Sequence, residues 1–215
     1  MSDAPASVSP VPGQPGVYVN EATQEVFKLV EYRDDSKYDT EDLASGSISA
    51  GSSVDLFATQ ADKELLDTNL DTPRRLSRGE TMVIRWIGVE VPLVVGNTII
   101  APIDIKRLCY SAVLEVKINK ITIAEGPLVK FPSGYGLSGQ TTENSAGIVA
   151  IGVPSTAARA DLQKQHFITA DHSISSKISF PDRAWDTDAT TRPNLGSVMH
   201  VRVHLGGLIS TAATK

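Results

Sequence analysis

The stretch "VLEVKINKITIAEG", residues Val113–Gly126, decides the fold class. Leu114, Val116 and Ile118 alternate with Glu115, Lys117 and Asn119, and Ile121 and Ile123 resume the alternation after Asn119-Lys120. Such a period of two marks a strand with one wet face, because successive side chains point to opposite sides. Asn tolerates the left-handed backbone that a two-residue hairpin turn needs. The spacing predicts a hairpin turning at Asn119-Lys120, with Ile118 opposite Ile121 and Val116 opposite Ile123. The apolar side chains then share one face, which fixes the register. That face needs a partner layer, so the hairpin belongs to a larger β structure.

Other segments carry the same signal. In "TMVIRWIGVEVPLVV" (81–95), Val83, Arg85, Ile87 and Val89 face one way and Met82, Ile84, Trp86 and Gly88 the other. Both faces are largely apolar, which predicts a central or doubly covered strand. In "VMHVRVHLGGLIS" (198–210), Met199, Val201, Val203 and Leu205 line one face and His200, Arg202 and His204 the other. "HFITADHSISSKISF" (166–180) reads as one or two strands, with Ile174, Ile178 and Phe180 on one face. "GSISAGSSVDLFAT" (46–59) reads as an interrupted strand, and Val26, Phe27, Leu29 and Val30 as a short one.

Between them lie polar connections. "YRDDSKYDTED" (32–42) reads as a loop, and "ADKELLDTNLDTPRRLSRGE" (61–80) as one helix-like turn around Lys63–Leu66 followed by turn residues. "APIDIKRLCYSA" (101–112) fits a short helix or an irregular connection. "VPSTAARADLQKQ" (153–165) predicts a short helix that Ser155 caps and Ala157, Ala158 and Ala160 favour. Seven to nine strand candidates, long polar loops and one or two short helices define an all-β sandwich or barrel. Loops too long for a simple meander favour a single jelly-roll, Greek-key β-sandwich. Residues 1–20, with Pro5, Pro10, Pro12 and Pro15, read as an extended or disordered N-terminal arm, and 21–215 as one domain.

A chain of 215 residues buries roughly 70% of its unfolded surface, enough for a substantial core. No apolar run approaches the ~20 residues that span a bilayer. The N-terminus has neither a basic region nor an apolar core, so no signal peptide is expected. Cys109 is the single cysteine, which excludes an intrachain disulfide and reads as a small buried hydrophobe. The net charge is -5. Residues 1–44 hold nine acidic and three basic residues, so that segment is net -6 and the remainder +1. Neutralising many phosphates takes a basic patch or tail, so direct nucleic-acid contact is not expected.

No chemical motif rises above this background. Gly134-Tyr135-Gly136-Leu137-Ser138-Gly139 matches G-x-G-x-x-G, but "QTTENSAG" after it is a poor helix start, and the dinucleotide motif must open a helix. On a strand, His200 and His204 stand about 13–14 Å apart, too far to chelate one ion. His166 and His172 are scattered. No metal, cofactor or catalytic constellation is expected. Trp86 reads as core. Trp185, in the polar "PDRAWDTD", reads as a subunit contact, since Trp is enriched at interface centres; a sugar platform is the alternative.

Several stretches together resemble the jelly-roll capsid proteins of tailless icosahedral bacteriophages. "SGSISAGSSVDLF" resembles an opening strand, and "LLDTNLDTPRRLSRGETMVIRWIGVEV" the connection and long central strand after it. "LEVKINKITIAEGPLVKFPSGYGLSG" resembles a middle hairpin running into a Gly-rich loop, and "HVRVHLGGLIS" a last strand. The resemblance implies a virion shell subunit without catalysis or cofactor, made in the host cytoplasm. Its partners would be further copies, other capsid proteins, and an internal membrane or minor proteins. The acidic arm departs from the basic arms of capsid proteins that touch naked genome, and suits a shell separated from the genome. The expected contact residues are Val17, Tyr18, Phe131, Pro132, Tyr135, Leu137 and Trp185. The rival reading is a carbohydrate- or receptor-binding β-sandwich of a virion or tail, with Tyr135 and Trp185 as stacking platforms.

Overall fold

The computed structural model describes residues 6–28, 32–43, 46–92, 94–95, 98–99, 102–134, 137–138, 150–151, 159–181, 194–195 and 198–211. In chain order the strands begin with β1 (Ala6–Pro10), β2 (Val17–Asn20), β3 (Val26–Lys28), β4 (Tyr32–Leu43), β5 (Gly46–Ser47) and β6 (Ser53–Leu56). Then come β7 (Glu80–Glu90), β8 (Val94–Val95), β9 (Thr98–Ile99), helix α1 (Pro102–Ser111), β10 (Val113–Ile118) and β11 (Ile121–Pro127). A 3₁₀ turn (Leu128–Lys130), β12 (Leu137–Ser138), β13 (Ala150–Ile151), β14 (Ala160–Thr169), β15 (Ile174–Ser179), β16 (Asn194–Leu195) and β17 (Met199–Thr211) complete the set. Among the described residues no helix is long and apolar enough to cross a membrane.

Two antiparallel sheets form the body. The larger runs β3-β2-β1-β14-β7-β17-β4 and the smaller β11-β10-β15-β6. Their facing sides share one core: Met82, Ile84, Ile87, Val201, Val203 and Leu205 from the larger sheet meet Leu114, Val116, Ile118, Ile174 and Ile178 from the smaller. The class is therefore all-β, as the alternation predicts. The hairpin turns where expected. Asn119 takes φ 56°, and its side chain accepts a hydrogen bond from the Ser173 amide at 2.7 Å. Ile118 faces Ile121, but Val116 faces Ala124 rather than Ile123, because a bulge between Val116 and Lys117 leaves Ile123 as the extra residue.

The central strand departs from simple alternation for the same reason. Gly206 pairs with Trp86 and Gly207 with Ile84, so Arg85 is an extra residue in β7. The faces exchange there. Ile84 and Ile87 both enter the shared core, whereas Val83 joins a smaller cluster with Val8, Tyr18 and Leu208. The glycine pair in β17 accommodates the bulge. A Cβ on Gly206 would lie 1.8 Å from the Trp86 ring, and one on Gly207 1.9 Å from the Val83 carbonyl oxygen.

Three polar segments take unexpected forms. "YRDDSKYDTED" is strand β4, paired with β17 from Tyr32↔Ser210 to Asp42↔His200. The segment read as a helix from Val153 lies partly outside the described residues, and Ala160–Thr169 is strand β14 between β1 and β7. Sheet pairing on both sides there outweighs a weak local helix preference. Within the segment expected as an arm, Ala6–Pro10 is strand β1, paired with β14, and Val17–Asn20 is strand β2, paired with β1.

Candidate functional site

β4 is an edge strand, and edge strands expose unpaired backbone groups that invite other chains. A loop from Phe57 to Leu70 covers its middle. Asn69 replaces a neighbouring strand there: its Oδ1 accepts from the Tyr38 amide at 2.9 Å and its Nδ2 donates to the Ser36 carbonyl at 2.7 Å. Beneath the loop, Asp39 is fully buried. Its carboxylate accepts from the Phe57 amide at 2.5 Å and from Lys63 Nζ at 2.9 Å. Lys63 also reaches Glu41 at 2.5 Å. Burial pulls the Lys63 ammonium down, but Asp39 and Glu41 outweigh it and hold its pKa above the ordinary value.

This anchoring has a visible consequence. The Tyr38 hydroxyl donates to the Leu65 carbonyl at 2.6 Å, and Arg202 Nη2 donates to the Leu66 carbonyl. Arg202 in turn lies 5.1 Å from the Tyr38 ring centroid. The backbone of Leu65 and Leu66 is thus gripped from below while their side chains stand 74% and 76% exposed. A pair of leucines on a braced mount is an apolar feature of the kind that marks an interaction site. Sequence reasoning missed it, reading only a helix-like turn. The adjacent Leu-Leu flanked by Asp62, Glu64 and Asp67 was the available signal.

The outer face of the larger sheet carries a second arrangement. His204 is buried. Its Nε2 lies 3.0 Å from Glu90 Oε2 and its Nδ1 3.2 Å from Ser36 Oγ. Trp86 stacks on its ring at 6.1 Å, and Tyr38 tilts against it at 5.6 Å. The hydrogen bond to His204 is the main cause holding the Glu90 carboxyl below its ordinary pKa. A serine–imidazole–carboxylate chain has the connectivity of a nucleophile relay, but here the imidazole is packed between two aromatic rings. Trp86 offers no free stacking face for a sugar: Gly206 underlies it, and Arg159 lies 5.2 Å from its centroid. Two adjoining clefts flank this face. One, of about 480 Å³, lies under the Pro10–Gly16 loop; the other, of about 510 Å³, is bordered by Ser36, Trp86 and Arg159. Arg85 and Asp34 line both, 3.7 Å apart.

The expected contact residues separate. Tyr18 is buried in the outer cluster with Val8 and Leu208, and burial raises its phenol pKa. Val17 is half-buried beside it. Phe131 sits in the shared core, with its carbonyl accepting from the Val89 amide at 2.8 Å. Pro132 is exposed. Leu137 lies in β12, paired with Ile151 of β13, and the residues that follow the glycine-rich motif lie outside the described residues. Tyr135 and Trp185 lie outside the described residues.

His200 contacts Asp42, and His172 Nδ1 accepts from the Thr169 amide at 3.1 Å. Among the described residues no group of three or more His, Cys, Asp or Glu is placed to hold a metal ion. Cys109 is partly buried against the core, and burial pushes its thiol pKa up, away from nucleophilic use. Comparison with protein-family models, with curated proteins and with solved structures gives no match to this chain.

Proposed function

We propose that this protein is a structural virion subunit, a capsid protein of jelly-roll type whose copies associate into a closed shell. The observation that carries this reading is the Leu65–Leu66 pair. It is exposed, yet held by the Tyr38 hydroxyl and the Arg202 guanidinium and seated on the buried Asp39–Lys63 pair. Holding large apolar side chains in water has no benefit to a lone subunit, whereas covering them in a contact recovers their burial energy. The two-sheet body supports the same reading, since a rigid scaffold with contacts on its loops and flanks suits repeated association. Its partners are further copies, other capsid proteins and, given the acidic residues of 1–44, an internal membrane or minor proteins rather than naked genome.

In this reading Ser36, His204 and Glu90 brace the sheet instead of turning over a substrate. The wild-type chain should form large assemblies or stable oligomers in light scattering coupled to size-exclusion chromatography. A strict monomer at high concentration, with no particle by electron microscopy, would overturn the proposal. Stoichiometric labelling of Ser36 by a fluorophosphonate probe would replace it with an esterase-type reading.

A further inference from the structure

We infer that Lys63 and Asp39 condense into an intramolecular isopeptide bond, with Glu41 as the acid–base catalyst, so that the covering loop is tied covalently to β4; this goes beyond the assembly reading and does not rest on it. The sequence places the groups. Lys37, Asp39 and Glu41 alternate along β4 and share its inward face. Their cross-strand partners in β17 are Leu205, Val203 and Val201, all members of the shared core. Asp39 is therefore sealed between an apolar strand and the loop, with its side chain 0% exposed. Lys63 reaches it from the loop with its own side chain 10% exposed. Its Nζ lies 2.9 Å from each Asp39 carboxylate oxygen and 2.5 Å from Glu41 Oε1. Lys37, the other cation of this face, is engaged by Glu80 at 3.0 Å.

The parts of an acyl transfer are present. Lys63 Nζ is the nucleophile and the Asp39 carboxyl the acceptor. The Phe57 amide donates to Asp39 Oδ2 at 2.5 Å, where negative charge grows in a tetrahedral intermediate. Phe57 is fully buried and holds that amide at φ 62°, a backbone a bulky residue adopts only under constraint. At rest the pair is ionised, since Asp39 and Glu41 hold the Lys63 pKa above its ordinary value. The reaction starts when a proton passes from Lys63 to Asp39 Oδ1, giving a free amine and a carboxylic acid. Nζ attacks Cγ, and an electron pair moves onto Oδ2 beneath the Phe57 amide. Glu41 takes a proton from Nζ and returns it to Oδ1. The Cγ–Oδ1 bond breaks, Oδ2 regains its double bond, and one water leaves. No oxidant or cofactor enters, and Glu41 ends as the carboxylate it began. The bond replaces two charges that burial penalises with one neutral amide. The held geometry supplies the effective concentration that a free amine and acid lack in solution.

The test is the mass of the intact wild-type chain, purified folded and then denatured. It should be one water less than the sequence sums to, and digestion should release a branched peptide joining the segments around Asp39 and Lys63. A full sequence mass, both fresh and after prolonged incubation of the folded chain at neutral pH, overturns the inference. So does a water lost within a linear peptide, which is what a cyclic imide leaves. Lys63→Arg keeps the charge but not the amine, and should show the full sequence mass; a missing water there refutes the bond. Glu41→Gln should convert more slowly by about a hundredfold or more, seen as chain of full mass that loses water only on storage. Conversion as fast as wild type overturns the assignment of Glu41. Melting curves establish that both variants are folded. Should either fail to fold, the wild-type mass and the branched peptide remain the deciding readouts.

Discussion

Strand β10 buries Leu114, Val116 and Ile118, whereas β4 buries Lys37 and Asp39. Both are antiparallel and both are held along their length, yet they are held by different physics. β10 lies between β11 and β15, and its inward side chains simply leave water. β4 is an edge whose inward polar groups must find partners as they leave water. Lys37 finds Glu80 at 3.0 Å, and Asp39 finds Lys63 and the Phe57 amide. The covering loop, with Asn69 completing the backbone bonds, is the element that lets a sequence as polar as "YRDDSKYDTED" lie in a sheet. The lesson is that a polar strand depends on a specific loop, whereas an apolar strand depends on a face.

That contrast can be broken. Asp39→Ala leaves the part-buried Lys63 with Glu41 alone and the Phe57 amide without an acceptor; it should cost about 3–5 kcal/mol by denaturant unfolding. Ile118→Val removes a single methylene from a face that tolerates it, and should cost about 0.5–1.5 kcal/mol. If the two losses were equal, β4 would not depend on its charges in the way described.

A pH titration sharpens the picture on the outer face. The Glu90 carboxyl has a lower pKa folded than unfolded, chiefly through its hydrogen bond with His204. The folded state therefore binds fewer protons there, so stability rises with pH across that window. The contribution is complete above the ordinary value of 4.5 and is lost as pH falls through the folded value. Glu90→Gln should flatten the acid side of the melting-temperature profile below 4.5, and an unchanged profile would mean that the bond contributes nothing. The smallest effect on stability belongs to Leu65→Ser with Leu66→Ser. These side chains touch water already, so unfolding should shift by no more than about 0.5 kcal/mol, while self-association should fall by more than about tenfold.

The sequence shows clearly those parts of the fold that are held by a face. The alternations at 113–118 and 199–205 both become strands, and Asn119 makes the turn its residue type permits. Bulges are less visible. Nothing in "VIRWIG" says that Arg85 is extra, and the signal sits far along the chain in Gly206-Gly207, which clear space for Trp86 and for the backbone opposite. β4 and β14 were hidden for different reasons: β4 because its buried charges are matched by residues distant in sequence, β14 because the alanines at 157, 158 and 160 suggest a helix where the chain from Ala160 pairs into the sheet. At the candidate site, composition points to solvent for "DKELLD", and only the grip of Tyr38 and Arg202 distinguishes a braced knob from an ordinary turn.

Image reconstruction of assemblies grown from the purified wild-type chain bears most directly on the central claim. The account predicts a closed particle in which a neighbouring copy covers Leu65 and Leu66. Dispersed single subunits at every concentration, or a particle whose map leaves both leucines facing solvent, would contradict it.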